Sequence, residues 1–490
     1  MLPRPSLDPR SEVPLYQQLY RHFIELIHSG ALQRGERLPP TRELAGLLGL
    51  NRTTISAAYG LLEAAGFING HVGRGSFVTG GMGPTAGLNW ENILGPRSFI
   101  TAPSFLSDPN VISFAVSCPS ETLFPLDDWR ASCDEVLSGP DLSSVLQLGS
   151  PGGYEPLRQY LMECSRNEGV LGEGDDIMIT SGCQQALDLT RRVLIRPGEK
   201  VLLEEPVFPG LRNLFVEAEA HLTGIPVHRE GMDVAQLART ATGGVRAIVL
   251  TSNFQNPTGA TLPQAARESV LRVAQSSGAV LIENDIYGQL RYEGEPLPTL
   301  KQMDDTGDTI LLRSFSKISF PGLRVGWVIG PRPVIARMME AKQLSDLHSD
   351  QFSQAVLLRF ALSGRQEKHH IRIRKAGAER LKATLTACDR YLPKGSLFTR
   401  PQGGMNLWVR LPAPLDAGEL LARAQRAGAT YLPGKYFAVA LPEPASLRLS
   451  FAGLDPERIE AGIRILGELF TSELKQLSAS SSREPAPATV

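Results

Sequence analysis

Lys317 stands in the segment SFSKISFPGLRVGW, with Ser314, Ser316 and Arg324 close by. A lysine amine that is partly deprotonated condenses with an aldehyde to a Schiff base. Hydroxyls and a guanidinium suit a phosphate dianion, the arginine bidentately. A second segment, LIENDIYG, puts Asp285 at the end of an apolar run. A carboxylate there can keep a pyridine nitrogen protonated, so that the ring draws electrons. In LTSNFQNPTG, Asn256 can donate to a phenolic oxygen, and Tyr287 is placed to do the same. In TSGCQQALDL, the chain runs through Ser181 and Gly182 into a helical pattern. The backbone amides of Gly182, Cys183 and Gln184 would cradle a phosphate at that helix start. Phe208, in EEPVFPG, is a candidate to stack on a ring. Aldehyde, phosphate and protonated ring nitrogen together describe pyridoxal 5'-phosphate. The candidate catalytic groups are Lys317, Asp285 and Tyr287.

Each piece alone has a blander explanation. A lone lysine is usually a solvated charge, Asp285 alone a helix cap, and NPTG alone a turn. An arginine on a strand is most often an ion pair, and Cys183 reads as small packing. The case rests on their order along one chain.

These residues need a scaffold. Short β-rich runs at 177–180, 201–205, 247–252, 280–285, 309–313 and 326–330 alternate with helical stretches. That alternation predicts a mostly parallel sheet with helices on both faces, an α/β fold. Open sheets of this kind bind ligands beyond the carboxyl ends of their strands, which is where Asp285 and Lys317 fall.

Residues 1–80 read as a separate unit. Leu15, Leu19, Phe23, Ile24 and Ile27 form a helical stripe. A short helix is predicted from Thr41 to Leu48 after Pro39 and Pro40, and Asn51 is a good N-cap for a third. Residues 67–79 suggest a hairpin with Gly73 and Gly75 at its tip. Helix, helix, turn, helix and hairpin spell a winged helix-turn-helix. Its second paired helix would read the major groove through Asn51, Arg52, Thr53 and Thr54, with Arg42 near a phosphate and Arg74 on the wing. The unit carries eight basic and six acidic side chains. So few phosphate contacts imply that binding to DNA needs a dimer.

Residues 81–112 are rich in Gly and Pro without a sustained period, and read as a linker. A flexible linker of that length spans on the order of 30 Å, and about 100 Å fully extended. The sheet-forming region is assigned to 113–475, and 476–490 to a disordered polar tail. Over its 490 residues the chain is 42% hydrophobic and 21% charged, with a net charge of -1. Those values exclude wholesale disorder and a globally basic coat. Five cysteines without a CxxC pair argue against a disulfide framework or a Cys-rich metal site. No apolar run reaches the roughly 18–20 residues that cross a bilayer, and the N-terminal stretch shows no secretory pattern. The expectation is a cytoplasmic protein with no membrane partner.

The segment from PLYQQLYRHF to GRGSFV resembles the GntR-type DNA-binding domain, with Asn51-Arg52 where Ser-Arg is usual. Residues 113–475 resemble the fold-type-I, aspartate-aminotransferase-like enzymes, which have large and small lobes. Together they resemble the MocR-type (GabR-like) transcriptional regulators. The resemblance implies Lys317 as the aldimine lysine and Asp285 on the pyridine nitrogen. It places Asn256 and Tyr287 on the phenolic oxygen, and Ser314, Ser316 and Arg324 at the phosphate. In LRLSFAG, Arg448 matches the arginine that binds a substrate α-carboxylate. It further implies a homodimer, often domain-swapped head to tail. Two positions depart from the pattern. Leu148 stands where a tyrosine usually reaches the neighbouring subunit's phosphate, and Val116-Ser117 replace two glycines. The expected function is a pyridoxal-phosphate-dependent regulator of transcription that senses an amino compound or the cofactor itself through Lys317, with weakened transamination. The alternative is a working aminotransferase with an appended DNA-binding module.

Overall fold

The computed structural model describes residues 5–9, 11, 13–71, 75–79, 90–94, 110–440 and 442–481. The chain forms two compact units, residues 1–96 and 97–490.

In the first unit three helices, Leu15–His28, Thr41–Leu48 and Arg52–Ala64, precede a hairpin of Ile68–His71 and Gly75–Val78. The predicted stripe closes the core. Leu19, Phe23 and Ile27 pack with Leu44, Ile55, Ala58 and Leu62, all buried. The Asn51 side chain accepts a hydrogen bond from the Thr53 amide at 3.2 Å, as its N-cap assignment requires. The Tyr59 hydroxyl donates to the Pro39 carbonyl at 2.8 Å and ties the third helix to the turn before the second.

In the second unit, eight strands form one sheet. Their order is Asp175–Thr180, Gly326–Pro331, Ile310–Ser314, Val280–Asn284, Val245–Leu250, Lys200–Glu205, His221–His228 and Gly231–Met232. Strands 310–314, 280–284, 245–250, 200–205 and 221–228 run parallel. Strand 326–331 runs antiparallel to both of its neighbours. Val201, Leu202, Leu203, Ile248, Val249 and Leu250 are fully buried on successive positions, the pattern of strands covered by helices on both faces. Truncating one of these leucines or isoleucines to alanine costs about 2–5 kcal/mol.

A smaller antiparallel sheet, Leu397–Phe398, Asn406–Arg410, Ser446–Ser450 and Leu432–Pro433, carries Arg448. Helices Arg365–Tyr391 and Pro456–Ser481 run alongside in the same hydrophobic cluster. Strand Ile112–Ser113 joins this region by pairing with Ala429–Thr430.

Two expectations need correction. Within the segment read as a linker, Trp90–Leu94 is helical. Within the segment read as a disordered tail, residues 476–481 continue the helix that begins at Pro456, because each added residue propagates an existing helix at little cost. The rest of both segments, apart from 110–112, lies outside the described residues, as does Arg74. No helix among the described residues is long and apolar enough to cross a membrane.

Candidate cofactor site

Strand Asp175–Thr180 ends at Ser181, and helix Gly182–Leu194 begins at once. Its first amides, on Gly182, Cys183 and Gln184, lack intrahelical partners by construction. Arg324 lies against this end. A methyl at Gly182, whose φ is +77°, would sit 2.4 Å from the Arg324 guanidinium. Arg324 Nη1 donates to the Ser316 hydroxyl at 3.2 Å, and the Ser314 hydroxyl donates to Ser316 Oγ at 3.0 Å. The Ser181 hydroxyl lies 2.9 Å from that of Ser349. Helix end, guanidinium and hydroxyls therefore form one small anion cradle, with no side chain on Gly182 to fill it.

Lys317 lies just past Ser314, in a single 3-10 turn, Phe315–Lys317. Its Nζ donates to the Ser117 carbonyl at 2.5 Å and lies 5.9 Å from the centre of the Tyr287 ring. Asp285 follows strand Val280–Asn284 and is 6% exposed. Its Oδ1 accepts from Asn253 Nδ2 at 2.9 Å, and its Oδ2 from Arg313 Nε and Nη2 at 3.3 and 3.2 Å. A methyl at Gly288 would come within 2.3 Å of Oδ1, so only glycine there leaves the carboxylate in place.

Asn256 Nδ2 donates to the Tyr287 hydroxyl at 3.4 Å, and Asn256 Oδ1 accepts from Arg448 Nη1 at 3.2 Å. Arg448 also donates to the Ala115 carbonyl and lies over the Phe437 ring. Its Nε is buried without a hydrogen-bond partner, an orphan donor that a ligand's carboxylate would satisfy. Burial pulls this guanidinium down to about 10, against the Tyr287 phenol, which raises it. Burial pushes the Cys183 thiol up to about 12, against Lys317 and Arg324. The thiol donates to Asn284 Oδ1 at 3.3 Å.

The structure thus joins Ser314, Ser316, Arg324 and Gly182 in one cradle, and Asn256, Tyr287 and Arg448 in a second cluster. Lys317 connects to the second through Tyr287. Phe208 and Gln184 both lie against Gly210. Val116 and Leu148, at 48% and 73% exposed, face solvent in the single chain. In the first unit Arg42, Asn51, Arg52 and Thr53 are exposed and Thr54 is half-buried. Arg313, Asn253, Gly288 and the carbonyls of Ala115 and Ser117 went unnoticed in the sequence. Arg313 and Asn253 did have a signal, since each lies within three residues of a recognised site residue.

Comparison with known proteins matches residues 111–466 to aminotransferase class I and II, and residues 15–78 to bacterial regulatory proteins of the gntR family. This chain belongs to the aminotransferase class I and II family. With its GntR domain it is a MocR-type regulator. It is 32% identical to the HTH-type transcriptional regulator YdcR of Escherichia coli K12, over 94% of this chain and 99% of that one. It is 28% identical to the probable rhizopine catabolism regulatory protein MocR of Rhizobium meliloti, over 95% of each. Among solved structures it resembles LysN, the alpha-aminoadipate aminotransferase of Thermus thermophilus, crystallised with N-(5'-phosphopyridoxyl)-L-leucine. The TM-score is 0.73 at 32% identity, covering 79% of this chain and all of that one. A MocR-type regulator carries DNA-binding and aminotransferase folds on one chain, and the family implies pyridoxal phosphate as its cofactor. The cradle over Gly182 fits that group's phosphate.

Proposed function

We propose that this regulator holds pyridoxal phosphate at Lys317 and changes its grip on DNA when an amino compound binds there. The DNA-reading domain is taken as residues 1–80, the linker as 81–112 and the cofactor domain as 113–475. When bound, the cofactor supplies an aldehyde that condenses with primary amines and a ring that withdraws electrons. Ser181, Gly182, Cys183, Gln184, Ser314, Ser316 and Arg324 would hold its phosphate, and Asp285 its ring nitrogen. Asn256 and Tyr287 would hold its phenolic oxygen, and Phe208 would border its ring. Arg448 would take the carboxylate of an amino-acid ligand, because a buried guanidinium with a free donor gains most from an anion.

One observation carries the regulatory reading. The segment that follows the linker is tied to both site cations. Ile112–Ser113 is a strand, the next carbonyl but one, Ala115, accepts from Arg448, and Ser117 accepts from Lys317. A ligand carboxylate that draws Arg448 to itself would release the Ala115 carbonyl, and an amine that takes the place of Lys317 on the cofactor would free Lys317 to hold the Ser117 carbonyl; either change alters the restraint on the linker's end. Allostery requires a ligand to prefer one state, and this pair of bonds is what we propose differs between the two. A homodimer, with two DNA-reading domains and optionally exchanged between subunits, completes the proposal.

The completeness of the Asn256, Tyr287 and Arg448 cluster favours a second reading, an active aminotransferase. The experiment separates the two. Genomic fragments captured by the purified dimer supply a DNA probe. Its affinity is then measured with a panel of amino acids and amines, for the parent and for Lys317→Ala. A ligand-dependent affinity that vanishes in Lys317→Ala supports sensing. Conversion of the cofactor to its pyridoxamine form with unchanged DNA affinity supports the enzyme.

A further inference from the structure

Arg313 sits between two carboxylates. It lies on strand Ile310–Ser314, next to Ser314, and its neighbour Leu312 accepts from the Asp285 amide at 2.9 Å. Its side chain is 7% exposed and that of Asp285 is 3% exposed. Nη1 and Nη2 donate to the two oxygens of Glu168 at 2.6 Å each, a bidentate fork. Nε and Nη2 also reach Asp285 Oδ2, at the longer 3.3 and 3.2 Å. Burial opposes the guanidinium's charge, but the bond to Glu168 and the charge of Asp285 outweigh it and hold Arg313 above its ordinary value.

A carboxylate offers about four lone-pair sites. Asn253 and Arg313 fill three at Asp285, which leaves about one for a ring N–H. A carboxylate that already faces a guanidinium is a weaker base and holds a neighbouring proton less firmly. Glu168 works the other way, because it takes the shorter bonds and divides the positive charge. The cluster of two carboxylates and one guanidinium carries one net negative charge, which balances one pyridinium.

We propose that Arg313 and Glu168 are positioning residues that set how firmly Asp285 keeps a proton on the cofactor's ring nitrogen. This deepens the reading of the site given above and rests on it. The ring nitrogen's charge decides how strongly the ring withdraws electrons. The clamp therefore tunes the site between holding an amino ligand and turning it over. Glu168 ends helix Glu155–Glu168 with a side chain 44% exposed, so one member of the clamp meets solvent.

Glu283 and Arg267 also act by charge on Arg313 or Asp285. Glu283 accepts from the Ser252 hydroxyl and from the amides of Leu300 and Lys301. Arg267 is spent on the Leu262, Pro298 and Ser252 carbonyls and on Asn253 Oδ1. Both act on the clamp by charge, Arg267 also through Asn253, but both are unchanged in the variants below, so the difference from the parent reports the clamp.

The test uses the full chain loaded with pyridoxal phosphate labelled with 15N in the ring. The 15N chemical shift is followed against pH in the parent, Glu168→Gln, Arg313→Met and Arg313→Lys. Glu168→Gln leaves the guanidinium undivided, and the pH of half-protonation should fall by about one unit. Arg313→Met leaves two uncompensated carboxylates and should raise it by about as much. Arg313→Lys keeps the charge and should stay between the parent and Arg313→Met. Shifts in the same direction for Glu168→Gln and Arg313→Met, or no shift in loaded Glu168→Gln, overturn the proposal. Should Arg313→Met not fold, Glu168→Gln against the parent still decides it. A parent protein that takes up no cofactor overturns the reading of the site itself, a distinguishable failure.

Discussion

Gly182 and Arg324 share one small space: a methyl on the first would lie 2.4 Å from Nη2 of the second. The φ of +77° at Gly182 adds backbone strain to any side chain there. Gly182→Ala should therefore push Arg324 off the cradle and weaken pyridoxal phosphate binding about tenfold or more, as the loss of one charge-assisted bond requires. A fluorescence or absorbance titration with the cofactor checks this. Unchanged affinity would mean that the phosphate lies elsewhere.

Arg448 predicts selectivity among ligands. Arg448→Ala removes the donor to Asn256 and the orphan Nε. Ligands with an α-carboxylate should lose about 10–100-fold in affinity, following the roughly 1.5–3 kcal/mol of a hydrogen bond to a charged group. The corresponding amines without a carboxylate should bind as before. Titration of paired ligands, amino acid against its decarboxylated amine, reads the difference.

Glu204 gives the fold a pH dependence apart from the chemistry. It is buried at the end of a central strand, and Oε2 accepts from the Thr251 amide at 3.0 Å while Oε1 has no partner. Burial raises it from 4.5 to about 8, and the bonds from Thr251 and Gln255 lower it. A carboxyl raised in the folded state stabilises fully below its unfolded value and loses that contribution as pH rises to the folded one. Between those values the loss runs at about 1.4 kcal/mol per pH unit. Relative to the parent, Glu204→Gln should gain stability as pH rises to about 8 and level off above it. Thermal melts at several pH values test this, and a pH-independent difference would refute it.

In the first unit, Asn51→Ala removes the cap on Thr53 and should cost about 1 kcal/mol of stability. Arg52 is exposed and the cap is Asn51, so Arg52→Ala leaves the cap in place. It should leave the melting temperature alone and weaken DNA binding by about 1–3 kcal/mol. The cofactor's absorption should not change in either variant, which calorimetry and gel shifts alongside spectra can show.

Legibility in the sequence followed the chemistry. The six predicted runs, found as strands ending in Thr180, Glu205, Leu250, Asn284, Ser314 and Pro331, are largely apolar, and the ends of three of them pointed to Ser181, Asp285 and Lys317. Strand His221–His228 was not legible. It contains Gly224 and Pro226 and is half-exposed, so no alternation or apolar run marks it. Leu397–Phe398 and Leu432–Pro433 are too short to show any period, and the small sheet that carries Arg448 was therefore invisible although Arg448 itself was not. Arg313 was passed over because a charged residue within a strand reads as an ordinary ion pair. Only its position between Glu168, 145 residues away, and Asp285 reveals more.

The most direct test is the visible absorption of the purified protein mixed with pyridoxal phosphate, then titrated with amino acids and amines. The account predicts a band that Lys317→Ala abolishes or displaces. It also predicts that the band shifts with one class of amine in step with DNA affinity. A band unchanged by Lys317→Ala, or none at all, would contradict it and leave a DNA-binding protein with an aminotransferase-like body.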